Sequence, residues 1–208
     1  VPEASSSSEL VYRLMDKEKV TAQVAEAIYM GIAHDTGVFQ YSCTSPETLR
    51  IAADLISYGF DFSSLIAKTF YEKSYNQNRI LGQALLNSRL FLDGMVIGTV
   101  LTKQEMKEFH IHPGQLDGIV SKLRETRGVD CSILIYPLEN GENKVSLRSQ
   151  SVTNVAKIAE LYGGGGHIRA AGCNMTGDEE ENLLRLVQDA EVQLLQAGVI
   201  SRKGSEND

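Results

Sequence analysis

Four consecutive glycines, Gly163 to Gly166, are followed at once by His167 and then by Ile168, Arg169, Ala170, Ala171 and Gly172. Glycine loses more conformational freedom on folding than any other residue. A run of four therefore implies backbone that adopts a positive φ or comes very close to something. Both conditions suit an anion held by main-chain N–H groups. The imidazole of His167 adds a side-chain donor for a phosphate or carboxylate, and the small residues behind it keep the exit of the loop thin. A flexible linker and an overrun helix C-cap are the competing readings. A linker is longer, richer in serine and not closed by small apolar residues. The reading adopted is an anion contact through Gly164, Gly165, Gly166 and His167.

A second candidate lies in Lys144-Val145-Ser146-Leu147-Arg148-Ser149, a strand whose alternation puts Val145 and Leu147 on one side and Ser146 and Arg148 on the other. An arginine flanked by the hydroxyls of Ser146 and Ser149 offers a phosphate a bidentate fork plus neutral donors. The alternative is an ordinary solvated strand face. A third candidate is Asp35, in His34-Asp35-Thr36-Gly37. A carboxylate just past a helix end can point into a cleft, or it can close an Asx turn on the N–H of Gly37; the residues alone leave both open. His110 and His112 form an HxH pair beside Pro113. Alternate positions of an extended segment share a side, one arrangement that zinc uses, but no third ligand is near and the pair reads as a surface loop.

The elements that must position these residues follow from periodicity. Helices are expected over about 6–15, with Ser8 as N-cap, over 21–33 with Val24, Ala27, Ile28 and Ile32 inward, and over 46–58 behind Ser45 and Pro46, with Leu49 and Ala52 inward. Phe39 and Tyr41 alternate like a short extended piece. A helix over 63–70 precedes a longer one over 74–87. From residue 89 the period changes to strands, with Asp93-Gly94 and Asn140-Gly141 as two-residue hairpin turns. Further helices are expected over 103–109, 115–124, 154–161 (with Leu161 inward) and 178–197.

A chain of 208 residues can form one large domain or two small ones. Its net charge of −7 argues against broad binding to duplex nucleic acid, which needs many phosphates neutralised, but not against a short anion held in one pocket. No apolar run approaches the 18 or so residues of a membrane span, and no signal-peptide pattern opens the chain. The cysteines, Cys43, Cys131 and Cys173, are odd in number and lack CxxC spacing, which predicts reduced, buried thiols in a cytoplasmic protein.

The segment from Gly163 to Gly172 resembles the GGGGHxxAAG signature of the DHHA1 domain, the substrate-binding half of the DHH phosphoesterases. Gly31 to Phe39 is similar to a DHH-domain segment whose aspartate is a metal ligand, and Ser146 to Ser149 to the strand before the glycine loop. The chain also resembles the bacterial bifunctional oligoribonuclease and PAP phosphatase group. The resemblance implies an α/β fold: the helical remainder of a DHH lobe over residues 1–73, a helical linker over 74–88, a DHHA1 lobe with a mixed β-sheet flanked by helices over 89–200, and a flexible tail over 201–208. It implies a phosphoesterase hydrolysing short oligonucleotides or 3′-phosphoadenosine 5′-phosphate. Asp35 would be a metal ligand, His34 and Thr36 would stand behind it, and Arg148, Ser146, Ser149, Gly164, Gly165, Gly166 and His167 would hold substrate. It implies two Mn²⁺ ions, hard cations that favour carboxylate and imidazole. Partners would be short single-stranded RNA or DNA or nucleotide phosphates, with a possible homodimer and no membrane. The DxD and Asp-His-His motifs of the family do not occur in these residues, and one aspartate cannot hold two ions. The alternatives are a catalytically silent nucleotide-binding fragment, a cyclic-dinucleotide phosphodiesterase or an exopolyphosphatase.

Overall fold

The computed structural model describes residues 4–201. The chain divides into two compact units, Val1–Lys73 and Ser74–Asp208; from residue 202 on, the expected tail lies outside the described residues.

The first unit is helical. α1 (Ser7–Leu14), α2 (Ala22–Asp35) and α3 (Pro46–Ile56) bury Tyr12, Ile28, Tyr29, Ile32, Ile51 and Leu55 together. Their starts are written in the sequence: Thr21 accepts from the N–H of Val24, and Ser45 forms a capping box with Thr48 ahead of Pro46. The N-cap of α1 is Ser6 rather than Ser8, because Glu9, fully buried, takes its place in the core. It accepts from the Ser5 N–H and hydroxyl, from Thr48 Oγ1 at 2.9 Å and from Arg13. Burial pushes the Glu9 carboxyl up, but these bonds outweigh it and hold it below its ordinary range. Gly31 lets α1 and α2 approach closely: a Cβ there would lie 2.0 Å from Ser8 Oγ. Val24 and Leu49, expected inward, are exposed, lying at the margins of the buried stripe. The unit continues through α4 (Phe62–Ile66), which passes into a π-helical turn over Ala67–Tyr71.

The second unit is an α/β sandwich on a mixed six-stranded sheet of order β1-β2-β3-β4-β6-β5. The strands are β1 (Arg89–Phe91), β2 (Val96–Val100), β3 (Cys131–Pro137), β4 (Asn143–Ser149), β5 (Gly165–His167) and β6 (Ala170–Met175). β2 and β3 are parallel and every other pair is antiparallel; the parallel pair is joined through α6 (Lys103–Glu108) and α7 (Ile119–Arg124). One face of the sheet packs Ile133, Ile135, Val145, Leu147, Ala171 and Cys173 beneath α8 (Val155–Leu161) and α9 (Glu179–Gln196). The other face, on β2 and β3, packs Ile97, Leu134 and Tyr136 beneath α5 (Tyr75–Leu86), α6 and α7. Here α5 is more than a linker. Its Ile80 and Ala84 are fully buried in that layer, and burying them anchors the helix to the sheet.

Several local expectations give way to backbone geometry. The β1–β2 turn is longer than Asp93-Gly94, since Leu92, Asp93 and Gly94 all have positive φ and form a 3₁₀ turn. The helix expected over 115–124 starts only at Ile119, because Gly118 at φ +94° cannot continue it backwards. Leu161 is exposed at the end of α8. Cys131 and Cys173 are buried and Cys43 is exposed, and none is bridged.

Candidate anion-binding site

The register of β4, β6 and β5 lays out the site. Residues paired across strands send their side chains to the same face. Arg148 pairs with Ala170, and Ala170 with His167. The guanidinium and the imidazole therefore rise from one row, two strand spacings or roughly 10 Å apart at the backbone, with only a methyl between them. The next row is Ser146, Gly172 and Gly165, and beyond it Lys144 faces Asn174. Followed the other way, the rows run onto Ser132 and Leu134 of β3, which α7 covers: Ser132 Oγ donates to the Val120 carbonyl at 2.8 Å. The face is thus roofed by helices over β2 and β3. Over β4, β6 and β5 its residues are half-buried or exposed. This open ledge has two cationic side chains of β4 along one side, an imidazole on the other and a floor of glycine and alanine.

Two expected contacts are corrected. Ser149 does not share the face of Arg148. An adjacent strand residue points the opposite way, and Ser149 is buried, 3.4 Å from both the Ile168 carbonyl, to which it donates, and Arg169 Nη1, from which it accepts. The glycines also do not form a free cradle of amides. Gly163, at φ +72°, follows the C-cap of α8, and the Gly164 N–H donates to the Ala159 carbonyl at 2.9 Å. Gly164 must be glycine because a Cβ would stand 2.3 Å from the Gly172 carbonyl oxygen and 2.5 Å from Cys173 Cβ. Gly166, at φ +147°, would set a Cβ 2.5 Å from the Ala170 carbonyl oxygen, and its register with Ala171 gives it the face away from the ledge. Gly165 alone of the four has open space where a side chain would be and needs no positive φ. The fold makes no demand for glycine there, and it lies in the row of Ser146.

What holds the ledge in shape was not visible in the residue types. Asp130, buried just before β3, accepts from the N–H groups of Ser151, Val152 and Thr153 and from the hydroxyls of Ser151 and Thr153, at 2.7–3.0 Å. Burial pushes its carboxyl up, but these bonds prevail and hold it at about 2. The segment so folded is grasped by Arg169, which donates to the carbonyls of Thr153, at 2.9 Å, and Ser151. The Val155 N–H, opening α8, donates to the Ile168 carbonyl at 3.0 Å. The β5–β6 turn that carries His167 is thereby tied to the end of β4 that carries Arg148. The alternation of hydroxyl residues in Ser149-Gln150-Ser151-Val152-Thr153 is the signal that could have pointed to such a nest.

In the first unit Asp35 ends α2 and is exposed, as is His34, whose ring lies 5.4 Å from that of Phe70. The Asx turn does not form; the Gly37 N–H goes to the His34 carbonyl at 3.3 Å. The turn is built by Thr36, fully buried, whose hydroxyl donates to the Ile32 carbonyl at 2.7 Å and accepts from the Phe39 N–H at 3.1 Å. Gly37, Val38 and Phe39 all have positive φ, so the extended piece expected at Phe39 is a left-handed turn. Among the described residues no three His, Cys, Asp or Glu side chains are placed to hold a metal ion. Asp35 by itself does not fit a two-metal centre.

The DHHA1 domain family matches residues 94–193, a span that contains β2 to β6 and the whole ledge. Residues 94–193 of the chain are a DHHA1 domain. Its DHHA1 domain and the residues before it are 31% identical, over 96% of this chain, to the bifunctional oligoribonuclease and PAP phosphatase NrnA of Thermus thermophilus, and 30% identical, over 87% of this chain, to the protein of the same name from Bacillus subtilis. It spans 60% and 58% of the length of those two relatives. The crystal structure of an exopolyphosphatase-related protein from Bacteroides fragilis is similar in fold, with a TM-score of 0.86 at 30% identity over 94% of this chain and 58% of that one. No helix among the described residues is long and apolar enough to cross a membrane.

Proposed function

We propose that the chain supplies the substrate grip of a phosphoesterase that hydrolyses short single-stranded oligonucleotides, 3′-phosphoadenosine 5′-phosphate, or both. The observation that carries this reading is the single cross-strand row of Arg148, Ala170 and His167 on an open face. A guanidinium fork and an imidazole facing each other over a methyl can take a terminal phosphate from two sides. Ser146 adds a neutral donor, and the bare floor at Gly165 and Gly172 admits a sugar or base against the backbone. The likeness to the oligoribonuclease and PAP phosphatase relatives supports a nucleotide as the ligand. A part for Asp35 in holding Mn²⁺, with His34 nearby, rests on the resemblance of its segment alone, and no chemical step is assigned to it.

The test is calorimetric titration of the chain with adenosine 5′-monophosphate and with a 5′-phosphorylated dinucleotide. Arg148→Ala and His167→Ala should each weaken binding roughly tenfold, the size of one lost charge-assisted contact. Unchanged affinity in both variants removes the ledge from the site. The scattered acidic and imidazole groups favour one second reading: the 208-residue chain binds its nucleotide without turnover. Binding with no release of product in the presence of Mn²⁺ supports it.

A further inference from the structure

We propose that Lys144 is a third anion-binding side chain of the ledge, and that it takes a second phosphate of the same ligand. This rests on the reading of Arg148 and His167 as the grip for the first. Lys144 stands on β4 two residues before Ser146 and four before Arg148, so all three rise from one face. Its side chain does not run out into solvent. The residue is half-buried, and its Nζ lies 3.9 Å, and its Cε 4.0 Å, from where a Cβ on Gly172 would be. The ammonium is therefore folded over Gly172, which is paired with both Ser146 and Gly165. That places it one row, roughly 7 Å, from the Arg148–His167 row.

The ammonium has no hydrogen bond or ion pair among the described residues. The nearest candidate carboxylate by sequence is Glu142, and its Oε2 accepts instead from Asn140 at 2.7 Å and from Asn174 at 3.1 Å. Asn174, the cross-strand partner of Lys144, turns its Nδ2 to that carboxylate. A lysine ordinarily carries its charge outward along a flexible stem. One laid across bare backbone and unpaired among the described residues, on the strand face it shares with Arg148, is a point charge with three donors. The ligand this suits is a nucleotide with two phosphate groups. They are either two monoesters on one ribose, or a terminal monoester followed by a phosphodiester.

The experiment titrates wild type, Lys144→Ala and Lys144→Arg with three ligands: adenosine 5′-monophosphate, adenosine 3′,5′-bisphosphate and a 5′-phosphorylated adenylyl dinucleotide. Lys144→Ala should leave the monophosphate within twofold of wild type and weaken one or both two-phosphate ligands roughly fivefold to tenfold. Lys144→Arg should restore most of the loss. A loss confined to the bisphosphate identifies the second group as a monoester, and a loss confined to the dinucleotide identifies it as a diester. An equal loss for the monophosphate, or no loss for any ligand, overturns the assignment while leaving that of Arg148 and His167 standing. If wild type binds none of the three, the underlying reading falls and this one with it.

Discussion

Replacing Asp130 with asparagine tests whether the nest beneath the ledge is held by charge. The buried carboxylate accepts five hydrogen bonds from residues 151–153. Asparagine keeps the shape but turns an amide NH₂ toward some of those donors, leaving them buried and unpaired, which costs about 3–5 kcal/mol out of a total stability of about 5–15 kcal/mol. Part of that difference depends on pH in a direction the structure fixes. The folded carboxyl titrates at about 2 against an ordinary 3.8, so it stays charged where the unfolded one takes up a proton. Its contribution is about 2 kcal/mol at neutral pH. It is fully present above the unfolded value and is lost as pH falls toward the folded one. By pH 3 roughly half is gone. Urea unfolding of both proteins at pH 7, 5, 4 and 3 reads this directly. The stability gap between wild type and Asp130→Asn should hold from pH 7 to 5 and narrow by about 1 kcal/mol by pH 3. A gap constant over the whole range would show that the carboxylate's charge does not hold the nest.

The glycine run offers a paired test. Gly164→Ala sets a methyl against the Gly172 carbonyl and Cys173 and should cost about 1–3 kcal/mol in urea unfolding. Gly165→Ala meets nothing within 4 Å and should change stability by less than about 0.5 kcal/mol, yet weaken nucleotide binding severalfold by raising the floor beside Ser146. Thr36→Val keeps the volume but removes the hydroxyl that joins Ile32 to Phe39. It should cost about 1–2 kcal/mol and speed exchange of the Phe39 amide in hydrogen-exchange mass spectrometry.

Much of the fold is legible in the sequence where local rules act alone. The period-two alternation of β4 puts Arg148 and Ser146 on the face away from Val145 and Leu147, as its burial pattern has them. The cap at Ser45, ahead of Pro46, sits where its hydroxyl requires. The glycine segment was not legible as a strand. Glycine is depleted in strands, and nothing local tells that residues 165–167 pair with Ala170 to Gly172. The same alternation, carried one residue further, turns Ser149 inward. The role of Asp130 is not legible because its donors lie 21–23 positions away, a separation at which residue types carry no signal. The left-handed turn at Gly37, Val38 and Phe39 was hidden for a related reason. Two of its three positions are residues that local preference assigns to extended backbone, and the Thr36 hydroxyl, the bond from the Val38 N–H to the Ala33 carbonyl and the packing of Phe39 against the core keep them there.

The parity of β4 also limits how this protein can change. A single residue inserted between Asn143 and Leu147 would shift every later side chain of the strand to the opposite side. The guanidinium would then be driven into the layer beneath α8 and Leu147 out into water. Substitutions on the ledge face of this strand leave the hydrophobic layer on its other side untouched, whereas its length is fixed by that layer. Insertions belong at the Asn140-Gly141 bend, where a loop can lengthen without altering which way Arg148 points.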